Sequence, residues 1–579
     1  NQTRNRIMGF LSAKYLITNW LSFTGRANID KTFDNLNAQY YQGTTLWAHT
    51  GGYYQQQNIE TTQKWFDGIF EGNNSITNDL KINYLAGVIY QDSKSDQLTN
   101  TADGLNVTNK FSLNYASNPS INSYGTEVQT QAAFGQANIS YKDAIFLDAS
   151  FRNDWDSRLG SPYSYQYYSV GGSAVLSDLM KLPTTISFLK ASLSYAEVGN
   201  GGQFGLLNSS YGYGQGAGNG FLSRSTTLPF PDLKPEIVKS LEAGIEARFI
   251  EDRFGFTATY YKSNSFNQLL QIPLPTATGY SSKYINAGNI QNQGIEVVLN
   301  ATPIRTKDFN WNMALNFALN RNKVIKLSPD IKVVYLSGSF GRSATPQVAE
   351  GGSYGDMVGF QWVKNSKGQH EVDSLGRPVT SNGIGDPQGL IGNFNPKETM
   401  GFTNTFRYKA FSLRVLMDGR IGGVIVDGTE MNLAFSGIPD VTAKFREGGL
   451  NLKGVDGNSN PVSSTINAQT FWQTVSNQRY GTAEFFTYDA TNFRVRELSL
   501  GYDIPLHSKM IIKGARISAV ARNVLWLYRG KSVLDIPGIG KRKMSFDPDM
   551  SLGNGNFQGI SYGTLPATRS YGFNLQLTF

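Results

Sequence analysis

The chain closes on Tyr571-Gly572-Phe573-Asn574-Leu575-Gln576-Leu577-Thr578-Phe579, and this stretch decides how the rest is read. Tyr571, Phe573, Leu575, Leu577 and Phe579 are apolar or aromatic, while the four residues between them are small or polar. Successive side chains of a strand point to opposite faces, so the run gives a strand with one oily face and one wet face. The same period of two recurs upstream. Leu241, Ala243, Ile245, Ala247 and Phe249 alternate with Glu242, Gly244, Glu246 and Arg248. Trp311 to Leu319, Leu498 to Ile504 and Leu189 to Tyr195 repeat it.

A soluble β-sandwich alternates too, so period alone does not separate it from a membrane barrel. The connections do. Tight turns fall at Lys142-Asp143, Glu251-Asp252-Arg253 and Lys307-Asp308, whereas residues 93–126, 200–234, 323–394, 420–483 and 529–565 read as long loops. Tight turns alternating with long loops mark an outer-membrane barrel, with turns on the periplasmic side and loops outside. Aromatics such as Tyr260-Tyr261, Tyr408, Phe411, Tyr502 and Tyr571 stand near strand ends, where an interfacial girdle places them. Glu242, Glu246, Arg248, Glu296 and Arg522 then face a watery lumen. Backbone groups in hydrocarbon must all be paired, so such a sheet has to close. The expected fold is all-β, a transmembrane antiparallel barrel with about sixteen strands in this chain. Tyr571, Phe573, Leu575, Leu577 and Phe579 are its outer-membrane C-terminal signature.

Composition agrees and excludes other classes. Of 579 residues, 40% are hydrophobic, 13% aromatic and only 17% charged, a balance that favours strand over helix. No run approaches the roughly 18 apolar residues of a spanning helix; even Phe411–Met417 is broken by Ser412 and Arg414. The opening Asn1-Gln2-Thr3-Arg4 carries no signal-peptide pattern. Cysteine is absent, which removes disulfides and thiolate metal sites. The net charge of +8 is modest, and Lys541-Arg542-Lys543 is the one polybasic run, which argues against a nucleic-acid partner. His49, His370 and His507 are far apart in sequence, and neither a nucleophile elbow nor a phosphate-binding loop is present. An enzyme is not expected, nor a cofactor or bound metal. The run Gly212-Tyr-Gly-Gln-Gly-Ala-Gly-Asn-Gly220 lacks the strand and helix a dinucleotide loop needs, and reads as a flexible loop.

The candidate ligand contacts are Tyr40, Tyr41, Trp47, Tyr53 and Tyr54, with Trp65-Phe66 in the same expected loop. Their rings could stack on sugars or grip a peptide, or pack the loop onto its neighbours. Tyr335, Phe340 and Trp362 in another loop rank below them.

Several segments resemble the SusC/RagA-like family of TonB-dependent transporters, typical of Bacteroidetes, in the family's order. They are Phe188-Leu-Lys-Ala-Ser-Leu-Ser-Tyr-Ala-Glu-Val-Gly-Asn200, Pro231-Asp-Leu-Lys-Pro-Glu236 and Asn286-Ala-Gly-Asn-Ile-Gln-Asn-Gln-Gly-Ile-Glu296. Further along come Ile391-Gly-Asn-Phe-Asn-Pro-Lys397 with Gly401-Phe402-Thr403-Asn404, then Phe493-Arg-Val-Arg-Glu-Leu-Ser-Leu-Gly-Tyr502 and Arg522-Asn523-Val524-Leu525. The resemblance implies a 22-stranded outer-membrane barrel of which residues 1–579 are the C-terminal portion. Its N-terminal plug domain, TonB box and first strands would lie outside this chain. It further implies energised import of glycan oligosaccharides or peptides, a SusD-like surface lipoprotein as lid, and energy from TonB–ExbB–ExbD. A dimer of such pairs is compatible with it. Many relatives carry a calcium-loop-like acidic stretch before the Ile391 segment; here Ser381-Asn-Gly-Ile-Gly-Asp-Pro387 holds one carboxylate, too few for a calcium site. A passive porin and a barrel recruited as a scaffold in a larger assembly remain the competing readings.

Overall fold

A computed structural model describes residues 1–44, 50–216, 219–329, 331–336, 343–381, 388–477, 480–506, 511–551 and 558–579. Seventeen strands of nine or more residues run through them, close to the number expected. They are β1 (Gln2–Leu16), β2 (Leu21–Tyr40), β3 (Tyr53–Ser75), β4 (Leu80–Asp103), β5 (Pro119–Tyr141), β6 (Ile145–Asp156), β7 (Ser164–Val175), β8 (Ile186–Asn200) and β9 (Glu236–Phe249). There follow β10 (Phe254–Pro273), β11 (Ser282–Arg305), β12 (Phe309–Lys326), β13 (Glu398–Tyr408), β14 (Phe411–Ile421), β15 (Asn492–Ile504), β16 (Gly514–Arg529) and β17 (Ser570–Thr578). The chain divides into two compact units, one of residues 1–174, 192–241 and 265–287, the other of 175–191, 242–264 and 288–579.

In the first unit β1 to β7 pair antiparallel, each with the next in sequence. Register sorts the side chains. Phe23 stands opposite Phe70, Ala27 opposite Phe66, and Leu147 opposite Gly172, all on one face. Farther along that face Phe151 and Val170 lie half exposed, at 50% and 52%. The other face is ionic: Arg4 grips Asp34 with two hydrogen bonds of 2.6 and 2.7 Å, Arg26 pairs with Asp67 at 2.8 Å, and Lys14 with Glu71 at 3.0 Å. At Lys142 and Asp143 both φ angles are positive, 55° and 52°, and the Ala144 amide donates to the Tyr141 carbonyl at 3.1 Å. That is the mirror-image turn whose twist suits adjoining strands.

In the second unit β11 to β17 pair in the same consecutive way. An apolar row crosses them in register: Leu299, Leu315, Phe402 and Met417, then Leu413, Leu500, Ala519 and Phe573. Near the tight turn at Lys409, the rings of Phe411 and Tyr502 lie 4.8 Å apart on that face. On the opposite face Glu497 takes both Arg414 (3.4 Å) and Arg522 (3.1 Å), and Asp503 takes Arg407 (3.0 Å). The two faces therefore divide as the sequence alternation required.

The long connections differ from the expectation. Residues 93–103 and 119–126 are strand, because β4 and β5 pair from Ala102 and Pro119 downward, so only 104–118 connects them. Their outer halves read as loop because they are polar on both faces, as strands projecting beyond a lipid layer are. Trp65 and Phe66, for the same reason, lie within β3 rather than in a loop. The glycine-rich run forms a hairpin of Tyr211–Gly216 with Asn219–Arg224.

The connections within 323–394, 420–483 and 529–565 fold together. Val333–Tyr335, Ala344–Ala349, Asp356–Gly359 and Gly389–Asn393 make a four-stranded sheet, and helices Gly428–Phe435 and Ala468–Val475 join them. Asp427 caps the first helix by accepting from the Thr429 and Glu430 amides at 3.0 Å, and Asn467 caps the second through the Thr470 amide at 2.7 Å. Met357, Trp362, Val372, Met431, Phe471, Trp472, Phe485 and Phe486 form one core with every side chain buried. We call this folded body the loop cap. The first unit has a smaller core of Leu159, Leu206 and Leu233 under its own connections.

Candidate functional site

Of the aromatics singled out from sequence, Tyr40 ends β2 and Tyr53 begins β3, directly opposite in register with ring centroids 5.5 Å apart. Tyr54 follows on β3 opposite Gln39, and Tyr41 packs edge-on against Phe111 at 5.1 Å while 62% exposed. Trp47 lies outside the described residues, as do Phe340, His49 and His507. Four of the five expected contacts thus gather at one hairpin crest. Tyr335 is exposed, but Trp362 is a core residue: its indole N–H donates to the Glu371 carbonyl at 2.7 Å and its ring stacks on His370 and Phe485. It has no surface with which to meet a ligand.

The loop cap is fastened to the charged face of the sheet by an ionic network built on two motifs read from the sequence. Opposite Leu416 and Met417, the run Val495–Glu497 holds an extra residue, Arg496, and β16 bulges beside it at Asn523 with a φ of 51°. The bulge shifts the alternation by one residue, so that Glu497 shares the charged face with Arg494. Arg494 and Arg496 converge on one carboxylate: Asp418 accepts from Arg494 Nε at 3.0 Å and from Arg496 Nε at 2.8 Å. Arg494, almost wholly buried, also donates to Asp547 at 2.9 Å and to Asp549, which in turn pairs with Arg420 at 2.8 Å. The Arg494 guanidinium lies 4.7 Å over the Trp526 ring. Asn523 accepts from Arg496 at 3.2 Å and donates to the Thr568 carbonyl at 3.0 Å. Three strands and the connection before β17 are tied in one network; the sequence showed Arg494 and Arg496 within a family-like motif but not Asp418, Arg420, Asp547 or Asp549 as their partners. An Asp-Pro-Asp triplet in a loop, facing the two arginines of the Phe493 motif, was the available signal.

The other motifs also pin loops. Asn286 accepts from the Lys234 amide at 2.7 Å and donates to the carbonyls of Lys234 and Asn267 at 2.9 and 2.8 Å, joining two of the resembling segments. Asn393 donates to Asp356 at 2.9 Å, and Asn393 and Asn395 both donate to the Tyr354 carbonyl. Inside the cap, burial and then Lys364 push the His370 imidazole down to about 4, and burial pushes Asp427 up to about 6. Among the described residues no three His, Cys, Asp or Glu side chains are placed to hold a metal; Asn382–Pro387 lie outside them.

Long antiparallel strands with one oily and one ionic face, tight turns between them and folded connections define a β-barrel protein of the outer membrane. The family model described as TonB dependent receptor-like, beta-barrel, matches residues 1–524, and the chain belongs to that family. TonB-dependent receptor P3 of Formosa agariphila is 26% identical over 494 residues, covering 79% of this chain and 46% of its own length. TonB-dependent receptor P26 of the same organism is 25% identical across 100% of this chain and 60% of its own length. TonB-dependent receptor SusC of Bacteroides thetaiotaomicron is 23% identical over 70% of this chain and 41% of its own. Among solved structures, the RagAB peptide transporter superposes with a TM-score of 0.77 at 21% identity, covering 100% of this chain and 62% of that one. The chain therefore spans between about two fifths and three fifths of the lengths of these relatives. The apolar face meets lipid, the ionic face lines the lumen, and the loop cap is extracellular.

Proposed function

We propose that this chain supplies most of the barrel wall and the outer loops of an energised importer of oligosaccharides or peptides. In this reading a plug domain and further strands, in sequence outside this chain, complete a 22-stranded barrel. TonB–ExbB–ExbD moves the plug, and a SusD-like lipoprotein closes over the loops. One observation carries the proposal: the extracellular connections are a body with its own core, clamped to the lumen wall by Arg494 and Arg496, which is a surface built to hold a lid and a cargo rather than a fringe of mobile loops. The lumen face supports a plug as well. Met8 and Phe10 project from the ionic side of β1, 68% and 69% exposed, apolar surface that an inserted domain would cover. The solved structure described as the RagAB peptide transporter supports peptide as one of the two cargoes.

The test uses the intact receptor in its native strain. Deleting it is expected to abolish growth on the oligosaccharide or peptide mixture it serves, deleting TonB to do the same, and the purified receptor to carry a surface lipoprotein. Uptake that survives loss of TonB would leave the porin reading standing. Unchanged growth on every complex nutrient would leave the scaffold.

A further inference from the structure

The polybasic run Lys541-Arg542-Lys543 has no part in the wall, the clamp or the core as described so far. It borders a cavity of 740 Å³ within the loop cap, whose lining also includes Lys444, Arg529 and the lumen-facing Trp526. Arg542 is held rigidly. The rings of Trp472, Phe486 and Tyr488 surround its guanidinium at 5.8, 5.5 and 5.6 Å, and its Nε lies 3.1 Å from Glu430 and 3.2 Å from the Tyr488 hydroxyl. Yet its Nη1 is buried without a hydrogen-bond partner among the described residues, and so is Nε of Arg529. Both atoms are shut off from solvent, so these two side chains bring positive charge to the cavity's edge rather than an open donor.

The charges around the cavity point the same way once pairs are removed. Its acids are Asp427, Glu430, Asp440 and Asp547. Glu430 is matched to Arg542 and Asp547 to Arg494, while Asp427 caps a helix and is pushed towards its neutral form by burial. Asp440 accepts from the Val441 amide. Against these, Lys444, Arg529, Lys541 and Lys543 have no ion pair among the described residues. A surplus of cations around one cavity is the electrostatics of an oxyanion site.

We propose that this cavity binds the anionic group, a carboxylate or sulfate, of a solute taken up by the receptor, drawn by the charges of Lys444, Arg529, Lys541 and Lys543 around it. The proposal rests on the import reading and narrows its cargo to acidic molecules. An acidic sugar and an acidic peptide share this chemistry, so the experiment separates them.

The intact receptor is titrated with a uronate trisaccharide, an aspartate-containing tripeptide and the neutral counterpart of each, at low and high salt. The acidic member of one pair is expected to bind at least ten-fold more tightly than its counterpart, with a preference that weakens in salt. In Lys541→Gln/Lys543→Gln, which alters two exposed side chains, that preference is expected to fall at least ten-fold. Lys367→Gln, on a turn of the cap outside the cavity's lining, should leave it intact. Failure of both acidic probes to bind better than their neutral partners, or a preference untouched by the double substitution, overturns the proposal. Growth dependence on the receptor and TonB would survive that outcome, so the loss would fall on the anion site and not on import.

Discussion

Leu575 and Gln576 are neighbours in the chain and face different media. Leu575 sits opposite Ile517 on the lipid side, Gln576 opposite Arg516 on the lumen side. An arginine at mid-bilayer on the lipid face costs roughly 2–4 kcal/mol, so Leu575→Arg is expected to block folding into lipid vesicles. Gln576→Ser should change stability by no more than about 0.5 kcal/mol. Equal effects in a vesicle-folding assay would reverse the facial assignment. Arg494 offers a second test at this scale. Removing it in Arg494→Met leaves Asp547 buried without its cation, a change that costs about 3–5 kcal/mol when one partner of a buried pair goes. Pairing it with Asp547→Asn should restore part of the loss, read as resistance of the connection after β16 to proteolysis.

Among elements, the loop cap is where sequence and structure part. The strands were legible because lipid on one side and water on the other impose a period of two that composition cannot hide, as Leu498 to Ile504 and Tyr571 to Phe579 show. The polar upper halves of β4 and β5 broke that period and were read as loop. The cap was not legible for a different reason. Trp362, Val372, Phe471 and Phe485 come from connections far apart in sequence and share no repeat, so only the folded chain brings them together. Tyr40 and Tyr53 stand out in the sequence only as part of an aromatic-rich stretch, and the pairing that sets them opposite each other needs the register of two strands.

Two predictions belong to the cap. Trp362→Ala removes a fully buried ring, a change of about 3–5 kcal/mol, and should expose the cap to protease while the strands stay resistant. The second concerns acid. His370 is held down to about 4 in the folded cap against an ordinary value near 6.5, so between those values the unfolded form takes up the proton and the folded form does not. This part of the cap's stability is present at neutral pH and is lost as pH falls through that window. Asp427, pushed up to about 6, acts in the opposite sense, its folded form holding a proton between about 3.8 and 6. His370→Phe should therefore remove the acid-side loss and leave the cap relatively more protease-resistant at pH near 4.5; a profile identical to the parent's would show that His370 does not titrate there.

For the molecule as a whole, the wall and the cap have separate sources of order. Each strand of the wall is held by ladder hydrogen bonds to its neighbours and by lipid along one face, whereas the cap is held by a dry interior assembled from three connections. Because that interior is shared, an insertion in one connection disturbs residues contributed by the other two. Descendants of this protein would then change what they recognise by exchanging the whole set at once, and intermediate sequences carrying one foreign segment would be poorly folded outside the membrane yet sound within it.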